Sequence, residues 1–509
     1  MKNIIKPAAA LFVVNVLLKL SGPAKNILIA HKFGISRKLD AYFIAQNIID
    51  VVLATVTFAI IIVAIPIFAG MLFERTDRSS VKSDIDSFLS QSLVLAGFIT
   101  LLFLAASRPL ANIIPGFSDP SSQGYLSAQL AILSVTVLFA IPVSVMTGYF
   151  HSLGRVVMPA VLNALPVLSI ILSIILLTSM IDIYSLPVGF LAGSLLVFLI
   201  LAKVYVGNTG KLASDIRNTA VWKRIRHLIA PAMIFAAGGH INLLVDQLFT
   251  SQIKDGGVSI LSYAQFFVTM PFLVITLPLI TALFPEMSKT HTVSGTKSLM
   301  ALTSRGFAVL LMVLIPVAVT IMSLKTPIID LFYNHGLFAP QAAKETARVL
   351  LAYGPAILFL SMNNLIQRLF FVKKALTILM GLTILSIILN IILDYTLASL
   401  FSITGIAMAT SVTDLLYFAV IFTLGRRKFD LRFSRRIKMD LAGIGLSGLI
   451  MAVGLQGFLA LYPHKSDASL SAQIAHLAAC LGVGCLIYLG FIKLLLKKGV
   501  FKYVAEDKE

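Results

Sequence analysis

An all-α polytopic membrane protein is the fold class this sequence predicts, and three observations predict it. The 509-residue chain is 58% hydrophobic and 12% charged, and its mean hydropathy of +0.95 lies outside the balance of water-soluble domains. Apolar runs of membrane-spanning length follow one another from residue 8 to residue 497, with no polar stretch long enough to fold alone. The 41 Lys and Arg, against 22 Asp and Glu, gather in alternate loops, so the net charge of +19 speaks of membrane topology rather than nucleic-acid binding.

Runs of about 20 apolar residues, enough to cross the hydrocarbon layer as a helix, place fourteen spans. They lie near 5–31, 39–71, 87–107, 123–148, 156–178, 183–206, 225–251, 258–284, 303–324, 343–370, 375–398, 402–424, 438–461 and 471–495. The first begins MKNIIKPAAALFVVNVLL, where Lys2 and Lys6 before an apolar run imitate a signal peptide. Lys19 and Lys25 interrupt that run and no convincing cleavage site follows, so a retained helix is expected. The turn after it carries His31, Lys32, Arg37 and Lys38, expected to be solvated. KLASDIRNTAVWKRIRH (211–227) joins the sixth and seventh spans, with Trp222 expected as an interfacial anchor; GRRKFDLRFSRRIK (425–438) and KLLLKKGVFK (493–502) flank the last two. With the N-terminus inside, about 30 basic residues fall on the cytoplasmic side and about 9 outside, which predicts two cytoplasmic termini. Such loops set topology and touch anionic lipid. The largest external loop, 325–348, has helical spacing around His335-Gly336 and predicts a short helix leading into the tenth span. The two cysteines, Cys480 and Cys485, share a late apolar segment and predict packing as small hydrophobes, not a disulfide or metal site.

The decapeptide LSIILSIILL (168–177) returns 217 residues later as LSIILNIILD (385–394), identical at eight of ten positions, and AYFIAQ (41–46) is echoed by SYAQFF (262–267). The repeat predicts two related six-helix bundles, 1–207 and 208–428, followed by two added helices and a cytoplasmic tail, 429–509. Paired halves around a central cavity are a transporter construction.

Polar residues inside apolar spans each demand a reason, because an ionised group in the bilayer costs several kcal/mol unless it meets a cavity or a partner. The second decapeptide puts Asn390 and Asp394 where the first has Ser173 and Leu177, four apart on one helix face. The seventh span carries Asn242 and Asp246, and the twelfth carries Thr410. Carboxylates, an amide oxygen and a hydroxyl suit a hard monovalent cation such as sodium; interhelical hydrogen bonding, or a proton shared by two aspartates, is the competing reading. In the first span Asn15, Lys19 and Asn26 share a stripe, with Lys25 round the helix and no acid in that span. A water-filled cavity receiving an anion accounts for them, as does pairing with Asp40 or Asp50 of the second span. His240 either lines the cavity or is a hydrogen-bonded core residue. No phosphate-binding glycine loop, H-E-x-x-H or nucleophile elbow occurs, so no enzyme activity is expected.

Four blocks together carry a family resemblance: KNILIAHKFGISRKLDAYFIAQ (25–46), INLLVDQLFTSQIKDGGVSILSYAQFFVTMPF (241–272), LFYNHGLFAPQAAKETARVLLAYG (331–354) and LNIILDYTLASLFSITGIAMATS (389–411). The chain resembles the MurJ (MviN) family, lipid II flippases of the MOP transporter superfamily. The resemblance implies a cationic central cavity for a lipid pyrophosphate. It also implies a sodium site on Asp246, Asn390, Asp394 and Thr410, with the backbone carbonyl of Ile406. The family's first-span arginines fall on Lys19 and Lys25, which keep the charge and lose the bidentate geometry; its aspartate after the first turn falls on Asp40. Its second-span arginine falls around Leu53 or Ala54, the arginine of its eighth span on Phe266, and a nearby acidic position on Thr269.

The expectation is a monomeric flippase of the bacterial inner membrane, moving an undecaprenyl-pyrophosphate-linked saccharide, lipid II first, by alternating access coupled to sodium or membrane potential. Lys19, Lys25, Asn26 and Asp40 are the expected cavity residues, and proteins of cell-wall synthesis are possible partners. Another polyprenyl-linked oligosaccharide, a MATE-like cation-coupled exporter and a non-transporting scaffold for cell-wall synthases are the alternatives.

Overall fold

The structure is a computed structural model and describes residues 21–74, 78–210 and 220–497. Asn15 and Lys19 lie outside these residues. Every regular element described is helical, and the class is the polytopic all-α one expected. Helix α1 occupies residues 21–33; α2 is Arg37–Glu74, α3 Arg78–Ile113, α4 Pro120–Ser152, α5 Val157–Leu162, α6 Leu165–Ile181 and α7 Ser185–Thr209. Then follow α8 (Ala220–Ile253), α9 (Gly257–Pro271), a π-helical turn (Phe272–Thr276), α10 (Leu277–Ser323) and α11 (Lys325–Tyr333). Finally come α12 (Pro340–Val372), α13 (Leu376–Phe429), α14 (Arg435–Leu461) and α15 (Leu470–Lys497). Among the described residues nine continuous helical stretches are long and apolar enough to cross a membrane.

Several stretches are too long for one crossing. The 47 residues of α10 would run about 70 Å if straight, more than twice the hydrocarbon thickness. A non-helical Gly295, at φ 77°, divides it; Ser402, at φ 57°, divides the 54-residue α13. The sequence reads α13 as the eleventh and twelfth spans, and the break falls where one hands over to the other. The expected helix in the 325–348 loop is α11, capped at Asn334 and followed by a turn at Gly336, in the left-handed region at φ 65°.

The chain separates into two compact units, Met1–Ser259 and Ile260–Glu509. In the first, α2 packs on α4 and α8, α3 on α4, and the pair α6–α7 on α4 through α7. Small residues make that pair close: a Cβ on Gly189 would lie 2.7 Å from the Ser173 Cβ, and one on Gly193 would lie 2.4 Å from the Pro166 Cα. Tyr205 of α7 donates to Asp86 of α3 at 2.6 Å. In the second unit α12 packs on α13 and α10, while α14 and α15 pair and lie against α10. Polar rungs join α12 to α13. Asn363 donates to the Asp414 carbonyl at 3.1 Å, Gln367 to the Tyr417 hydroxyl at 3.1 Å, and Ser411 to the Ala352 carbonyl at 2.7 Å. Such bonds hold helices together where lipid supplies no hydrophobic contrast.

Trp222 packs against the first unit's third helix. Its ring meets Phe88 edge-on at 5.5 Å, tying the start of α8 to α3. Cys480 is fully buried, as its apolar surroundings predict, and Cys485 is exposed.

Candidate functional site

Helix α1 holds Lys25 and Asn26 half-buried on its way to the turn at Gly34. Of the two acids that could answer Lys25, the one that acts on it electrostatically is Asp50, half-buried in α2. Gln46, one turn before Asp50, donates to its carboxylate at 3.0 Å and orients it. A lysine, a carboxylate and two amides thus lie along α1 and α2, a set able to hold an anion on Lys25 while Asp50 moderates the charge.

Asp40 has a different place. Its side chain is fully buried and takes the backbone N–H of Gly256 at 2.7 Å, the N–H of Ser259 at 2.8 Å and the Ser259 hydroxyl at 2.7 Å. These groups stand at the start of α9, where the first N–H groups of a helix lack intrahelical acceptors. Asp40 therefore caps that helix from α2, with both carboxylate oxygens engaged by its first groups.

Nor are the neighbouring charges merely solvated. Arg37 pairs with Asp255, donates to the Ser251 carbonyl at 2.9 Å and lies 5.0 Å over the Phe117 ring. Lys38 pairs with Asp182 at 2.9 Å and lies over the Tyr125 ring. His31 and Lys32 are exposed, as expected of a turn. Sequence reasoning missed the Arg37 and Lys38 ties. For Arg37 the KDGG run at 254–257 was the available signal, since it places Asp255 beside Gly256, left-handed at φ 79°.

In the second unit Asn390 and Asp394 are fully buried, and the Asn390 amide donates to the Asp394 carboxylate at 2.7 Å. Leu397 and Gly405 are eight positions apart in sequence, yet a Cβ on Gly405 would stand 2.0 Å from the Leu397 carbonyl oxygen. Such closeness requires the chain to double back at Ser402. The segment carrying Ile406 and Thr410 therefore returns beside the one carrying Asp394, which lies within a turn of Leu397. The Thr410 hydroxyl donates to the Ile406 carbonyl at 3.2 Å. Carboxylate, amide oxygen, hydroxyl and carbonyl are all hard oxygen donors, and their chemistry fits a sodium ion. Asp246 belongs to the first unit, where it is buried in α8, with its carbonyl accepting the Thr250 hydroxyl at 2.6 Å. His240 is half-buried, and its carbonyl accepts from Asn47 at 3.4 Å.

The first copy of the decapeptide shows what the second has altered. There Ser173 donates to the Ser185 carbonyl at 2.7 Å across the turn at Asp182, itself left-handed at φ 49°. A hydroxyl that staples one hairpin is replaced, in the other, by an amide bound to a carboxylate.

Phe266, where the resemblance expects an arginine, is half-buried and meets Phe267 at 5.4 Å. Thr269 is also half-buried. Just beyond, Pro271 leads into the π-helical turn, whose Thr276 hydroxyl meets that of Ser361 at 2.8 Å.

The family profile described as Lipid II flippase MurJ matches residues 29–474. A probable lipid II flippase MurJ of Buchnera aphidicola subsp. Acyrthosiphon pisum is 24% identical over 432 residues, which is 82% of this chain and 83% of that protein. The lipid II flippase MurJ of Burkholderia cenocepacia is 23% identical over 502 residues, 94% of each. A solved lipid II flippase MurJ in an inward closed conformation matches with TM-score 0.82 at 22% identity, covering 97% of this chain and 100% of that one. An inward-facing multidrug resistance MATE transporter of the MOP superfamily matches with TM-score 0.67 at 13% identity, covering 82% and 98%. At these identities the solved structures speak for the fold.

Proposed function

This chain belongs to the lipid II flippase MurJ family, and on that premise we propose that it moves lipid II across the bacterial inner membrane, from the cytoplasmic to the external leaflet. The observation that carries the reading is the family match across residues 29–474, which takes in both compact units. The proposed work of the first unit is to receive the pyrophosphate at Lys25, with Asn26 next to it in sequence and Lys19 as a second cation, while Asp50 is the counter-charge that the headgroup displaces. Asp40 fixes the start of α9 rather than touching the cargo.

In the second unit Asn390, Asp394, Thr410 and the Ile406 carbonyl would hold sodium. The bound ion would supply a positive charge that stabilises the buried carboxylate and favours one state of an alternating-access cycle, since a ligand shifts a conformational equilibrium only through unequal affinity. The termini are proposed to be cytoplasmic, on the distribution of Lys and Arg.

The reading is tested by replacing the resident lipid II flippase in a depletion strain, scoring growth and external exposure of lipid II, with Lys25→Ala and Lys19→Ala alongside. Rescue that either substitution abolishes supports it. A protein present in the membrane that fails to rescue moves the cargo to another polyprenyl-linked saccharide. One observation favours that second reading: an aromatic pair, Phe266 with Phe267, stands where the family carries an arginine.

A further inference from the structure

The loop between α13 and α14 reads in sequence as a topology signal, but in the structure it walls a cleft. Between α10 and the entry to α14 the second unit encloses about 1140 Å³. The floor is apolar, with Leu283, Met300 and Val309; Arg305 and Arg435 stand among the cations around it. Asp440, on the second turn of α14, also lines it. That side chain is only 8% exposed, and its Oδ1 has no hydrogen-bond partner among the described residues.

A carboxylate oxygen withdrawn from water and left without a donor is costly, and calls for a donor from outside the chain. The cleft therefore offers three things at once: an apolar surface, guanidinium groups and one buried acceptor. A soluble phosphate would leave the floor unused. A lipid carrying only negative charge would satisfy the arginines and set like charge against Asp440. An amphiphile whose phosphate is followed by an ammonium group matches all three. The sequence order fits too, because α14 begins at Arg435, capped by Ser434, and Asp440 on its second turn directly precedes the apolar run of that helix.

We propose that this cleft is a resident site for an aminophospholipid of the phosphatidylethanolamine class. The phosphate is held by Arg305 and Arg435 in charge-assisted hydrogen bonds, the ammonium by Asp440, and the acyl chains lie along Leu283, Met300 and Val309. Lys25 is not among the lining residues, and the lipid held there does not depend on the identity of the cargo.

The test reconstitutes the full chain in nanodiscs of equal phosphatidylethanolamine and phosphatidylglycerol, re-extracts it, and measures the retained lipid by mass spectrometry. The wild-type protein retains the amine lipid preferentially. Asp440→Asn lowers that preference about tenfold, the scale of one lost charge-assisted bond, while Arg305→Ala lowers retention of both lipids. Ala301→Trp fills the cleft from an exposed position and removes the retained lipid, an independent reading should Asp440→Asn fold poorly. The proposal is overturned if phosphatidylglycerol is retained as well as phosphatidylethanolamine, or if Ala301→Trp holds the amine lipid as wild type does. It is equally overturned if added lipid II displaces the retained lipid, which would make the cleft part of the cargo path.

Discussion

Asp40 and Ser259 stand 219 residues apart in sequence, and one carboxylate oxygen of the first accepts both the backbone N–H and the hydroxyl of the second, at 2.8 and 2.7 Å. The other oxygen takes the Gly256 N–H. Asp40→Ala strands buried donors at the start of α9 and costs about 3 kcal/mol. Asp40→Asn keeps one acceptor and loses less. The single tryptophan, Trp222, packs within the first unit, so its fluorescence during thermal unfolding reports both variants. A midpoint unchanged in Asp40→Ala would show that the cap carries no stability.

The hairpin inside α13 depends on the absence of a side chain at Gly405, where a Cβ would stand 2.0 Å from the Leu397 carbonyl oxygen. Gly405→Ala forces the two segments apart and is expected to cost about 1–3 kcal/mol, the range for overpacking. Gly381→Ala is its control, since a Cβ there meets nothing within 4 Å. Equal melting of the two variants would argue against the close approach.

Sodium, compared with potassium at equal ionic strength, should raise the unfolding midpoint of the wild-type protein. A ligand that binds only the folded state adds about 2.7 kcal/mol at a hundred times its dissociation constant. Asp394→Ala and Thr410→Ala should abolish the difference. A sodium response that survives in Asp394→Ala rules the proposed site out.

Asp119 caps α4 from outside the membrane span. The hydroxyls of Ser121 and Ser122 and the Ser122 N–H hold its carboxyl below the usual carboxylate range. A group whose folded pKa is depressed stabilises the fold above its unfolded value, near 4, and loses that contribution as pH falls through the folded value. The stability gap between wild type and Asp119→Ala is therefore full at pH 6 and narrows below about pH 4. A gap independent of pH would mean that the cap does not act as an anion.

Much of the fold was legible because apolar runs of bilayer length admit few structures, and α11 was legible from spacing alone. The pairing of Asn390 with Asp394 followed from helical periodicity. What was hidden is where a charged group spends itself. Asp40 reads the same in sequence whether it meets a substrate or the backbone of a later helix. Arg37 and Lys38 look like solvated turn residues until α8 and the α6–α7 turn are placed beside them. The α10 cleft was illegible because its two sides, around residues 300 and 436, come together only through packing.

The bond from Asp40 to Ser259 also has a consequence in time. At roughly 5–20 residues per second, the ribosome adds Ser259 roughly 10 to 45 s after Asp40. Until then the carboxylate of the second span has no helix start to receive. The first unit is thus unfinished for as long as α8 is being made, and a chain interrupted before residue 259 leaves the Asp40 carboxylate without the Ser259 donors that satisfy it in the complete fold.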